Sequence, residues 1–404
     1  MSVFDNIRKL LDKVSTRVEL SKDEQDYLLS HKSIKKADLV VDGETYPAWR
    51  IIQNNALGPG KGGIRFHPDV SEDEVMSLSF WMSIKNSLVG LPYGGAKGGV
   101  KVNPKSLSQK QIEELSREYV RKFHESLGQD KDIPAPDVYT NSQIMAWMLD
   151  EFEEIKGHHE PGMITGKPME LGGCAIREDA TSRGGLIVLE EFLKRRGKKP
   201  HELRIAIQGF GNAGKNIAKM LHDKGYRVLA VSDSKGAICS ESLDIEAVIE
   251  HKDKTGSVVG FTDAIDDILT QDVDVLVLAA LENQITKDNA SDIKASYILE
   301  LANGPITFEA DEALTSKGII VIPDILANAG GVVASYCEWS QSKIGHILSA
   351  EAMYEVLHSR MVNAFHSVYE GFQEQKEDGV SMRIAAYAIA IKRILRAARL
   401  RGEV

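Results

Sequence analysis

Residues 203–214 read Leu-Arg-Ile-Ala-Ile-Gln-Gly-Phe-Gly-Asn-Ala-Gly, an apolar run entering a glycine turn of the form G-x-G-x-x-G. The hexapeptide alone is a weak signal, and its surroundings give it force. An amphipathic helical pattern leaves the turn at Asn212 and is closed by Gly225, and the next apolar run, Arg227–Val231, leads to Asp233. Gly209 suits the tight turn, Gly211 the close approach of a pyrophosphate, and Gly214 the packing of helix on strand. Together with Phe210, Asn212 and Ala213 they form a turn that sets a pyrophosphate on a helix N-terminus, where free N–H groups and the helix dipole favour negative charge. Asp233 is placed to accept the adenosine ribose hydroxyls, which favours NAD. Ser234 and Lys235 beside it keep NADP open.

The same alternation continues outward. Apolar runs at Val273–Leu278, Tyr297–Leu301 and Ile319–Ile322 are separated by helical patterns, which predicts a parallel sheet covered on both faces. The fold class is therefore α/β, with a Rossmann-type dinucleotide-binding domain over 186–345. Before it the texture is mixed. Extended runs at Asp38–Val41, Trp49–Ile52 and Ile64–Phe66 are followed by a helix over Ser71–Ser87. Ser71 as N-cap and Glu74 three residues on predict a capping box. A further helix is expected over Pro104–Ser126. Residues 1–185 read as a substrate and oligomerisation domain, to which the helices of 346–404, split near Asp378–Gly379, are expected to return. A chain of 404 residues accommodates two such domains.

Composition narrows the partners. A net charge of −10 gives no attraction to a phosphate backbone, so nucleic acid is not expected. The Lys392–Arg401 cations suit a helix C-terminus. Cys174, Cys239 and Cys337 are too few and too scattered for a disulfide framework or zinc site, which fits a reducing, cytoplasmic setting. The opening MSVFDNIRKLLDKV lacks the apolar stretch of a secretory signal, and no run approaches the ~18 apolar residues of a membrane span. His158-His159 has no third ligand at suitable spacing, so no metal is expected.

Nine of the 34 glycines fall between Gly58 and Gly99, and three lysines lie among them: Lys61 in GPGKGG, Lys85 in SIKNSL and Lys97 in YGGAKGG. Glycine-lined loops can desolvate an amine and fit it for proton transfer or for binding an anion. Asp137, in the proline-stiffened Asp132-Ile-Pro-Ala-Pro-Asp137, is a rigid acid suited to exchange protons with an amine.

The strings GPGKGGIRFHP, KNSLVGLPYGGAKGGV, DIPAPDVYTNSQIMAW, ITGKPMELGG, QGFGNAG, LENQIT, ANGPIT and IPDILANAGGVVASY resemble, in order, the glutamate dehydrogenases of the Glu/Leu/Phe/Val amino-acid dehydrogenase family. The resemblance implies that Lys97 is the catalytic lysine and Asp137 the catalytic acid/base. It implies that Lys85 holds the substrate α-carboxylate, and Lys61 with Ser335 the distal carboxylate. Relatives acting on leucine, valine or phenylalanine carry apolar residues at the last two positions, so L-glutamate, 2-oxoglutarate and ammonium are the expected substrates. Thr181 and Asn212 match positions that hold the nicotinamide carboxamide, and Asn303 and Asn328 lie in cofactor-side loops. A homohexamer is implied. A sister dehydrogenase for another amino acid and a catalytically silent nucleotide-binding subunit are the alternatives. Departures from the family pattern fall at Met82, Leu278, Leu301 and Val333.

Overall fold

The structure, a computed structural model, describes residues 3–375 and 379–404. By contact it divides into one unit of residues 1–177, 332–356 and 390–404 and a second of 178–331 and 357–389.

The first unit opens with α1 (Val3–Val18) and α2 (Lys22–Leu29), then β1 (Ser33–Val41), β2 (Glu44–Asn54), β3 (Gly60–Lys61) and β4 (Ile64–His67). It continues through α3 (Glu72–Leu88), β5 (Gly95–Lys101), α4 (Gln109–Phe123), β6 (Asp132–Ile133) and α5 (Ser142–Lys156). Four strands form one sheet in the order β1-β2-β5-β4, and β3 pairs with β6 beside it. Leu39, Val41, Phe66, Tyr119, Val120, Met148 and Phe152 lie in the core formed with α4 and α5.

The glycine-rich Gly95–Lys101 stretch, expected as a loop, is a strand of this sheet, paired with β2 on one side and β4 on the other. Its glycines serve close packing. A Cβ on Gly95 would strike Ser83 of α3, and one on Gly98 would strike the Tyr119 hydroxyl. The helix expected from Pro104 begins later, because Pro104–Ser106 forms a short 3-10 turn and Ser108 with Gln111 then caps α4.

The second unit runs α6 (Ala180–Arg195), β7 (Arg204–Gln208), α7 (Asn212–Asp223), β8 (Arg227–Asp233), β9 (Gly236–Cys239), α8 (Ile245–Thr255) and β10 (Asp263–Ile265). It continues with β11 (Val275–Leu278), β12 (Tyr297–Glu300), α9 (Phe308–Ser316), β13 (Ile320–Ile322) and α10 (Asp324–Ala327). The sheet order is β10-β9-β8-β7-β11-β12-β13. The five expected strands are parallel, while β9 and β10 add an antiparallel edge too short to show in the sequence pattern. The order reverses at β7, between β8 and β11, so the Gly209 turn sits at the switch point where such sheets bind ligands. Leu301, one of the departures, fills the space that a side chain on Gly185 would need.

Three helices close the chain: α11 (Gly330–Ile344), α12 (Ala350–Glu374) and α13 (Met382–Arg401). Residues 357–389, expected to return to the first domain, group with the second, where Tyr369 packs edge-on against Phe192 of α6. Asp378, at the expected helix break, lies outside the described residues.

The second unit buries one guanidinium among three carboxylates. Arg383 reaches Glu300 at 2.7 Å, Asp311 at 3.2 Å and Asp324 at 3.3 Å. Burial raises the Glu300 carboxyl, and although Arg383 opposes this, Asp324 and Asp311 reinforce it, leaving Glu300 at about 8. The folded chain thus holds a proton that the unfolded chain releases near 4.5. The stability this contributes is full below about 4.5 and is lost as pH rises through about 8. Urea midpoints across that window should fall with pH, and Glu300→Gln should flatten the slope whatever it does to absolute stability. An unchanged slope in the variant refutes the assignment.

Candidate active site

The four-stranded sheet and the segment after β6 bring two of the expected residues into direct contact. In β5, Lys97 stands opposite Ile51 of β2, and its neighbour Gly98 stands opposite Ile64 of β4. Ile64 in turn bridges Pro136, which carries Asp137 alongside. The Asp137 N–H bonds to Thr140 Oγ1 at 2.7 Å, and that hydroxyl donates to the Ile64 carbonyl at 2.8 Å, so the turn is fixed to β4. Lys97 Nζ and Asp137 Oδ2 form an ion pair with side chains only 7% and 14% exposed. Burial pushes the Asp137 carboxyl up, but Lys97 and Arg65 outweigh it and hold the group at about 2.

A second cluster forms around Lys61, which is 1% exposed on β3. Pairing of β3 with β6 sets Lys61 opposite Ile133, and its amine meets the carbonyls of Ile133 at 3.4 Å and Pro134 at 3.3 Å. Nearby buried charges are matched: Arg50 with Asp132, and Lys167 with Glu338 at 2.8 Å. Lys61 has no carboxylate in ion-pair range among the described residues. Burial, with the charges of Arg177 and Arg50, holds its amine well below the usual lysine range. Ser335 lies on α11, which Gly330 and Gly331 open. Its Oγ accepts from Arg177 Nη1 at 2.7 Å. The buried Lys61 amine, the half-buried Arg177 guanidinium and the buried Ser335 hydroxyl thus stand near one another, surroundings that favour an incoming carboxylate. Lys85 lies half-buried in the last turn of α3, where Asn86 Nδ2 holds the Gly94 carbonyl at 2.6 Å just ahead of β5.

In the second unit the Gly209–Gly214 turn joins β7 to α7. Gly209 takes φ +91°, and a Cβ there would lie against the Ala279 backbone, while one on Gly214 would strike the Gly209 carbonyl. A Cβ on Gly211 would meet open space, and no side chain caps the α7 N-terminus. Phe210 is buried, and Ala213 accepts at its carbonyl from Ser182 Oγ at 2.9 Å. Asn328 Nδ2 bonds to Asn303 Oδ1 at 3.0 Å, whereas its buried Oδ1 has no hydrogen-bond partner among the described residues. An uncapped helix N-terminus beside open space and an orphaned buried acceptor fit a dinucleotide with a pyrophosphate and hydroxyl or amide donors. Asn212 turns its amide to the Glu178 carbonyl at 3.2 Å, and Thr181 Oγ1 lies beside Gly331.

Asp233 carries more partners than its position in the sequence suggests. Oδ1 accepts from Lys235 N at 2.9 Å and Ser257 Oγ at 3.1 Å, and Oδ2 from Val258 N at 2.8 Å with Lys252 Nζ at 3.2 Å. Burial works to raise this carboxyl, but the Lys235 and Val258 N–H groups and Lys252 hold it below its ordinary value. Ser234 is exposed beside it.

Three residues escaped the sequence reading: Arg65, Arg177 and Lys252. Each acts through a contact far away in the chain, which no local pattern records. No helix among the described residues is long and apolar enough to cross a membrane, and no group of three or more metal-ligating side chains occurs among them.

Residues 172–402 match the glutamate/leucine/phenylalanine/valine dehydrogenase family, and residues 33–154 match the Glu/Leu/Phe/Val dehydrogenase dimerisation domain. The chain is similar to the catabolic NAD-specific glutamate dehydrogenase RocG of Bacillus subtilis, 46% identical over 390 residues, covering 96% of this chain and 91% of that one. It is similar also to the NAD-specific glutamate dehydrogenase of Staphylococcus aureus, 48% identical over 363 residues, covering 89% and 87%. Among solved structures, the hetero-hexameric glutamate dehydrogenase of Thermus thermophilus in its Leu-bound form superposes with a TM-score of 0.92 at 34% identity, covering 99% and 97%. The glutamate dehydrogenase of Peptoniphilus asaccharolyticus gives 0.90 at 36%, covering all of both chains.

Proposed function

The chain belongs to the glutamate/leucine/phenylalanine/valine dehydrogenase family, and from that premise we propose that it interconverts L-glutamate with 2-oxoglutarate and ammonium, using NAD. The observation that selects glutamate is the grouping of buried Lys61 and Ser335 with half-buried Arg177. A branched alkyl side chain would leave Lys61 buried without a counter-ion, whereas a distal carboxylate supplies one.

Lys61, Arg177 and Ser335 hold the distal carboxylate and Lys85 the α-carboxylate. Gly209–Gly214 would hold the pyrophosphate of NAD, Asp233 its adenosine ribose, and Thr181 and Asn212 its nicotinamide carboxamide, with Asn303 and Asn328 in loops on the cofactor side. The chemistry that bound NAD+ would supply is acceptance of a hydride from the substrate Cα. Asp137 accepts a proton from the substrate ammonium and later returns it to the departing ammonia. Lys97 activates the water that attacks the imine carbon and stabilises the carbinolamine oxygen. In the resting protein these two neutralise each other, so the arriving substrate must part them before either can act.

Steady-state assays of reduced nicotinamide formation with glutamate, leucine, valine and phenylalanine, each with NAD+ and NADP+, test the reading. Glutamate with NAD+ should give kcat/KM at least ~10²-fold above any apolar amino acid. The Asp233 carboxylate, already ionised, should repel a 2′-phosphate and set NADP+ below NAD+. A preference for an apolar amino acid, or no turnover at all, rejects it. We propose further a hexamer of identical subunits in the cytoplasm; Cys174, Cys239 and Cys337 form no disulfide among the described residues, which fits a reducing compartment.

A further inference from the structure

The capping box expected at the start of α3 is only half made. Ser71 Oγ accepts from Glu74 N at 3.3 Å, but the Glu74 carboxylate turns away and pairs with Arg65 Nη1 instead. On its other edge the same guanidinium donates through Nε to Asp137 Oδ1 at 3.2 Å. Asp137 Oδ1 also accepts from Val138 N at 2.7 Å, while Oδ2 faces Lys97. One line of charge therefore runs Glu74–Arg65–Asp137–Lys97, from α3 through β4 to β5. Its last two members, Asp137 and Lys97, are the residues assigned above to proton exchange, and its first two, Glu74 and Arg65, have no assigned role.

We propose that Arg65 is a positioning residue for the Lys97–Asp137 pair: it anchors Oδ1 so that Oδ2 alone exchanges protons, and Glu74 sets how much of its charge the pair feels. The proposal rests on Lys97 and Asp137 being the catalytic pair. The geometry divides the labour. An Asp with both oxygens free could turn either to the substrate, whereas the Arg65 and Val138 donors occupy one and leave the other in the direction of Lys97. The charge of Arg65 favours the ionised Asp137 carboxylate, so removing it raises the pH at which Asp137 takes up a proton. The Arg65 charge already helps Lys97 to hold Asp137 at about 2. The charged groups facing the pair are Arg65 from β4 and, behind it, Glu74 from α3. His67 and Lys105 lie against the Tyr139 ring, two residues beyond Asp137.

The test is the acid limb of kcat/KM for glutamate against pH, measured on the full chain and on Arg65→Gln, Arg65→Lys and Glu74→Gln. Loss of the Arg65 charge should move the limb to higher pH by about one unit. Freeing Arg65 from Glu74 should move it to lower pH by a smaller amount, and Arg65→Lys should keep it near the parent position. A structural role alone would lower amplitude uniformly and leave the limb in place. A limb that does not move in Arg65→Gln and Glu74→Gln, or that is absent from all four proteins, overturns the proposal. Asp137→Asn and Lys97→Ala separate the two levels: if either keeps near-full activity, the catalytic pair itself is misassigned. If both lose activity while the limb stays fixed, only the role of Arg65 falls. Should Arg65→Gln fail to fold, Glu74→Gln decides, because Glu74 lies on the protein surface side of the line, 24% exposed.

Discussion

Lys97→Ala is expected to lower kcat by about 10³-fold with the KM for glutamate changed only a few-fold. The side chain is buried on a strand hydrogen-bonded on both sides, so its removal leaves the backbone of β5 in place. What disappears is the amine that activates water and meets the developing oxyanion. Asp137 keeps the donors Arg65 and Val138 N, so it stays ionised and buried without collapsing into the gap. Lys97→Arg sharpens the test. A guanidinium preserves the charge and the pairing with Asp137 but does not release a proton in a protein. If Lys97 acts only as a fixed cation, the arginine variant recovers activity, and if it must give up and regain a proton, both variants are equally slow. Near-full turnover in Lys97→Ala, with melting behaviour like the parent, would mean that the lysine is not catalytic.

The residues that were legible in the sequence are those whose role is local. The strand, turn, helix and acid of Leu203–Asp233 are contiguous, and each step of that pattern has its own physical requirement, so the turn stands where the glycines put it. Lys97 could be singled out but not placed. Gly-Ala-Lys-Gly-Gly-Val-Lys has neither alternation nor β-branched weight, and only the close approach of α3 and Tyr119 makes it a strand. The helix that carries Ser335 is hidden for a related reason, since the paired Gly330 and Gly331 that would suggest a turn instead open α11. Glu74 shows the opposite error. Its spacing from Ser71 satisfies a capping box, but an Arg65 guanidinium within reach is the stronger partner for a carboxylate. Arg177 gave no signal at all, because its meaning arises only when Ser335, far along the chain, is brought to 2.7 Å. Local pattern reports which backbone forms; the charges that tune a site come from contacts between distant segments.

Lys61→Met should move activity and stability in opposite directions, and that combination distinguishes a binding residue from a structural one. The amine is buried, meets two carbonyls and no carboxylate, and is held well below the ordinary lysine range by burial and by the charges of Arg177 and Arg50. The unfolded chain binds this proton more tightly than the folded one, so lysine here opposes folding at neutral pH. The opposition lessens as pH rises toward 10.5, where the free side chain also loses its proton. An unbranched apolar side chain removes that cost, and the thermal midpoint at neutral pH should rise or hold. Glutamate loses its buried counter-ion in the same change. With Arg177 and Ser335 still in place, kcat/KM for glutamate should fall by about 10²–10³-fold, the size expected when one partner of a buried charge pair is missing. Turnover of norvaline or leucine, which bring no distal charge, should gain relative to glutamate by a similar factor. A variant that is less stable and keeps its preference for glutamate would show that Lys61 supports the β3–β6 pairing rather than the substrate. A variant that is more stable and indifferent to the distal carboxylate would show that folding stability is given up at this position for the sake of a ligand that arrives only after folding.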